Sequence, residues 1–103
     1  MPTFVMISRH SPKNCPNFNE KVRKVWLEFF NKVDGLMKKH GVKNLGGWVA
    51  GSEHLTIMAV EAPSFEVFEK CMMEPEMIAF GASETLELKR VWNAEEVKKM
   101  LTR

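Results

Sequence analysis

Leu55-Thr56-Ile57-Met58-Ala59-Val60 is apolar on both of its alternating faces, with Leu55, Ile57 and Ala59 on one side and Thr56, Met58 and Val60 on the other. Its β-branched and apolar content marks a strand. A strand without a polar face needs cover on both sides. Thr3-Phe4-Val5-Met6-Ile7-Ser8-Arg9-His10 has the same character, since Phe4 and Met6 oppose Val5 and Ile7. These two stretches are read as the centre of one sheet.

Working outward, Gly51-Ser52 suits a two-residue hairpin between strands at Leu45–Ala50 and His54–Ala62. That turn would set Ala50 opposite Glu53, Val49 opposite His54 and Trp48 opposite Leu55. Upstream, Phe18, Val22, Val25, Trp26, Phe29, Val33, Leu36 and Met37 recur at helical spacing, with Asn17 as the expected N-cap and Gly41 just past the end. Downstream, Ser64 caps a helix through Phe65, Phe68, Cys71 and Met72, and Pro75 interrupts it or starts a second piece. Glu84 to Trp92 alternates as a fourth strand, with Leu86, Leu88, Arg90 and Trp92 on one face. Asn93 and Glu96 have the form of a capping box for a terminal helix.

The order is βαββαβ plus a helix, an α+β ferredoxin-like (split-βαβ) arrangement in a single domain, residues 1–103. Two helices cover one face of such a sheet. The apolar second face then calls for a second subunit, so a homodimer with sheets packed face to face is expected, and higher oligomers of dimers stay open. The 103 residues comprise 45% hydrophobic and 27% charged side chains, a globular balance. The formal charge of +2, from 15 basic and 13 acidic residues, gives no reason to expect nucleic acid or a membrane surface as partner. No apolar run reaches the ~20 residues of a membrane span, and Met1-Pro2-Thr3-Phe4 has no basic leader. Only Cys15 and Cys71 are present, which suits a reducing compartment, so a cytoplasmic location is expected.

Met1-Pro2-Thr3-Phe4-Val5, the stretch from Gly51-Ser52-Glu53-His54 through Glu61-Ala62-Pro63, and the helix after it resemble the GYD-domain group and related small proteins of the dimeric α/β-barrel superfamily. The Gly-Tyr-Asp tripeptide that names the group is replaced here by Gly51-Ser52-Glu53-His54. The resemblance implies a dimeric α/β barrel. The superfamily includes antibiotic-biosynthesis monooxygenases, haem degraders and muconolactone isomerases, and fold analogy does not choose among them. Haem degraders carry a histidine on the second helix, whereas residues 64–80 contain none.

Because strand one runs antiparallel to strands three and four, the end of strand one lies beside the starts of the other two. That topology gathers His10, His54 and Glu84 at one edge of the sheet, with Cys15 on the following loop. Imidazole, thiolate and carboxylate suit Zn²⁺ or another transition metal. The spacing matches no metal motif, however, and two partly exposed strand-end histidines are the simpler reading, so neither metal nor cofactor is expected. A second candidate is the cleft between sheet and helices, where the superfamily binds ligands. Gly46 and Gly47 remove bulk beside Trp48, and His10, His54 or Arg90 would supply polar partners, with Trp26 extending the wall. The competing reading packs a helix over the glycines and puts Trp48 in a dimer core. Cys71 reads as an inert buried thiol. The chain lacks tyrosine, a phosphate-binding glycine loop and a Ser–His–Asp order, and its third strand lacks the aromatics of an RNA-recognition module.

The expected function is therefore binding of a small apolar or aromatic molecule in the cleft. A cofactor-independent monooxygenase or isomerase activity would use His10 and His54 for proton transfer. The alternative is a non-catalytic regulatory or structural dimerisation module.

Overall fold

In the computed structural model, which describes residues 1–102, strand β1 (Thr3–Arg9) pairs antiparallel with both β3 (Leu55–Glu61) and β4 (Thr85–Val91). Strand β2 (Lys43–Ala50) adds to the far side of β3, giving the order β2-β3-β1-β4. Helices α1 (Glu20–Lys39), α2 (Phe65–Met72), α3 (Pro75–Gly81) and α4 (Ala94–Leu101) complete a small α+β fold compatible with the ferredoxin-like arrangement.

Alternation along the central strands decides which side is inner. Phe4, Met6 and Ser8 of β1 and Thr56, Met58 and Val60 of β3 are buried under the helices. Val5, Ile7, Leu55, Ile57 and Ala59 on the outer side are only half-buried. From above, α1 contributes Trp26, Phe29, Val33 and Met37, α2 contributes Phe68 and Cys71, and α3 contributes Met77 and Phe80. Phe29 and Phe80 stack with centroids 4.2 Å apart, locking α1 onto α3. The Cys71 thiol is fully buried and pushed up to about 11, first by burial and then by nearby Glu74.

Ser64 caps α2 by accepting from the Val67 N–H, and the Asn93–Glu96 capping box closes the start of α4. Helix α1 ends where Gly41, at φ +72°, lets the Gly41 and Val42 N–H groups turn back onto the Lys38 and Met37 carbonyls. Its start corrects the sequence reading. Asn19 rather than Asn17 is the N-cap, because the Cys15 carbonyl accepts from the Phe18 and Asn19 N–H groups and holds residues 15–19 in a turn. Phe18 therefore lies off the helix and is exposed.

The hairpin also differs from expectation. Gly51–Glu53 forms a 3-10 turn and His54 is left-handed at φ 53°, so the loop takes four residues instead of two. Ala50, Val49 and Trp48 consequently oppose Leu55, Thr56 and Ile57. A slip of two leaves every side chain on its expected face.

Helix α4 buries none of its residues, leaving Val97, Met100 and Leu101 exposed. No helix of the described residues is long and apolar enough to cross a membrane.

Candidate functional site

Polar side chains collect at one end of the otherwise apolar inner face. Ser11-Pro12 ends β1, and the 3-10 turn Pro12–Asn14 swings the chain back so that Cys15 is buried against the sheet end. The left-handed backbone at His54 lets its carbonyl accept from the His10 N–H at 3.1 Å, carrying the β1–β3 pairing one step past the strands. The two imidazoles then meet, with His54 Nδ1 3.2 Å from His10 Nε2. On the other side of His10, its Nδ1 lies 3.4 Å from Glu84 Oε2. Glu84 sits just ahead of β4, its N–H donating to the Gly81 carbonyl. The Trp26 ring meets His10 edge-on at 5.4 Å and roofs the group.

Glu84–His10–His54 thus runs across the ends of β4, β1 and β3. The His10 and Glu84 side chains are 3% and 0% exposed. Among the described residues, neither Glu84 oxygen completes a hydrogen bond, nor do His10 Nδ1 and Trp26 Nε1. Burial raises the Glu84 carboxyl to about 7, and the neighbouring Trp26 N–H opposes part of that rise. Burial, then the charge of His54, lowers His10. His10, Cys15 and His54 place their ligand atoms within 4.8 Å of one another, and His10 and Cys15 line a cleft of about 190 Å³ together with Pro16, Asn17, Trp26, Val49 and Gly51.

A larger cleft of about 360 Å³ lies between α1 and the sheet. Its walls include Phe29, Phe30 and Val33 from α1 and Met6, Gly47, Val49 and Met58 from the sheet. Gly47 pairs with inward-facing Met58, so it opens the cleft floor. Trp48 borders the cleft, but it pairs with Ile57 and its ring covers Gly46, which places the ring on the outer face. Val49 lines both clefts.

Of the residues singled out in the sequence, His10, His54, Trp26, Cys15 and Glu84 come together, and Gly47 and Trp48 border the larger cleft. Arg90 does not join them. Its pairing with Phe4 places it six residues along β1 from His10, about 20 Å away. There it stacks on Trp92 at 4.4 Å and donates to the Thr3 and Val91 carbonyls. Sequence reasoning passed over Ser8 and Thr56, a cross-strand pair whose hydroxyls are buried without partners among the described residues. The available signal was a hydroxyl residue at an inward position of an apolar strand.

No protein-family model matches the chain, and neither does any curated protein in a sequence search. The chemistry of the site must therefore be read from its own residues.

A buried carboxyl raised to about 7 has a definite effect on stability. Between its unfolded value near 4.5 and its folded value, the native state holds more protons, so this group's contribution is present at low pH and lost as pH rises through 7. In chelator-treated protein, Glu84→Gln is expected to gain on the order of 1–3 kcal/mol relative to wild type between pH 5 and pH 8. Urea unfolding at the two pH values measures it, and parallel behaviour of the two proteins would contradict the burial argument. The lowered His10 pulls the other way below about 6.5, so the gain of the variant is read on the upper side of that value.

Proposed function

We propose that the protein binds a small, largely apolar molecule in the cleft between α1 and the sheet, oriented by a few buried polar groups. The observation that carries this reading is the cleft itself: about 360 Å³, with aromatic and aliphatic walls and the Thr56 hydroxyl buried there without a partner. A ligand hydroxyl or carbonyl would satisfy that group. Val49 is shared with the smaller cleft, which His10 lines, so the ligand's far end points toward His10. In metal-free protein the chain His54–His10–Glu84 offers a route for a proton, as a cofactor-independent oxygenase or isomerase of the GYD-domain or dimeric α/β-barrel kind would use.

We also propose a homodimer, with the half-buried outer sheet face as its interface. This same face favours the second reading, a non-catalytic dimerisation module, which differs in leaving the inner cleft without a ligand. The two free cysteines fit a reducing cytoplasm.

Gly47 separates the two readings. A Cβ there meets only the Ile57 carbonyl at 3.7 Å, an ordinary contact, so a side chain can be added without backbone strain. Gly47→Leu is expected to fill the cleft and weaken anilinonaphthalene sulfonate binding, read by fluorescence, about tenfold or more while leaving the fold intact. Equal probe binding by wild type and variant would remove the ligand reading and leave the dimerisation module.

A further inference from the structure

We infer that His10, Cys15 and His54 form a binding site for a zinc-class transition metal, with Glu84 as the group that orients His10. Zn–N bonds of about 2.0–2.1 Å and Zn–S bonds of about 2.3 Å imply tetrahedral edges of about 3.3 Å between nitrogens and about 3.6 Å between nitrogen and sulfur. The His10 Nε2 to His54 Nδ1 separation is 3.2 Å, already such an edge. All three donor atoms lie within 4.8 Å of one another, so Cys15 needs only a small inward shift. Three protein donors beside an open cleft leave a fourth position for water or a ligand.

The surroundings fit the same assignment. A histidine that binds metal through one nitrogen commonly gives its other N–H to a carboxylate. His10 turns Nε2 toward the donor cluster and Nδ1 toward Glu84. The carboxylate is fully buried and neither oxygen completes a hydrogen bond among the described residues, a costly arrangement unless a positive centre lies nearby. A divalent cation, the Cys15 thiolate and the Glu84 carboxylate sum to zero charge. The thiolate and imidazole donors select zinc or a related soft ion over magnesium or calcium.

This site goes beyond ligand binding in the α1 cleft, and neither depends on the other. With metal bound, the ring nitrogens hold the ion, and the end of a cleft ligand meets its open position instead of an imidazole.

The test uses the full chain, stripped with chelator and titrated with Co²⁺ without air. One Co²⁺ per chain is expected, with a thiolate-to-metal charge-transfer band and the strong visible bands of a tetrahedral ion, displaced by Zn²⁺. Cys15→Ser should abolish the charge-transfer band. His54→Asn, whose side chain tolerates the left-handed backbone, should weaken binding about 100-fold or more. Glu84→Gln should weaken it about 10–100-fold, and His40→Gln should leave it unchanged. A wild-type titration without the band overturns the site whatever the variants do. So does a band that survives in folded Cys15→Ser, which would assign the thiolate to Cys71.

Discussion

Phe80→Ala is expected to cost about 3–5 kcal/mol, because it leaves a cavity where a fully buried ring stacks on Phe29. A domain of this size has roughly 5–15 kcal/mol to lose, so the midpoint of thermal unfolding should fall by about 10 °C or more. Ile78, two residues earlier on α3, is half exposed, and Ile78→Ala should stay within about 0.5 kcal/mol. Thermal unfolding followed by circular dichroism compares the two. Equal losses would mean that α3 is not anchored by its inward ring. The ring also reaches the candidate site, since Phe80 packs against Trp26 at 5.3 Å and Trp26 roofs His10. Phe80→Leu keeps most of the volume and should shift Trp26 while preserving the fold.

If the proposed dimer forms, Ile57→Lys is expected to turn it into a monomer. Ile57 lies in the middle of the outer face, opposite Ile7 on one neighbour and Trp48 on the other, with the Arg9–Glu87 ion pair toward one margin. In an isolated chain the new ammonium group reaches water, so folding should persist. Between two packed sheets it becomes a buried charge without a partner, costing several kcal/mol. Association should weaken about 100-fold or more, since every 1.4 kcal/mol is a factor of about ten. Sedimentation over a range of micromolar concentrations reads both proteins. A monomeric wild type would remove the dimer, and a dimeric variant would move the interface elsewhere.

The element order was legible because amphipathic spacing in α1, two-faced hydrophobicity in β1 and β3, and caps at Ser64 and Asn93 are local signals. The hairpin register was less so. Gly51-Ser52 suggests a tight turn, yet His54 accepts a left-handed backbone and lengthens the loop to four residues. The topology brought His10, His54 and Glu84 to one edge on paper, but ring directions decide whether three groups make a site. Those directions depend on the Pro12–Asn14 turn, the His54 backbone and the Trp26 roof, which no spacing rule encodes. Arg90 illustrates the converse: its face was read correctly, and its position along that face was left to the register with β1.

The left-handed backbone at His54 narrows what the position can hold. Two alphabets intersect there. The backbone admits glycine, asparagine, aspartate and histidine more readily than other residues. Coordination or proton transfer admits histidine, cysteine, aspartate and glutamate. Only histidine and aspartate belong to both sets, and aspartate is too short to span the distance an imidazole covers to His10. Sequence drift at this position would therefore remove the proposed coordination or proton transfer before it changed the fold, whereas at Glu53, one residue earlier and exposed, neither alphabet applies.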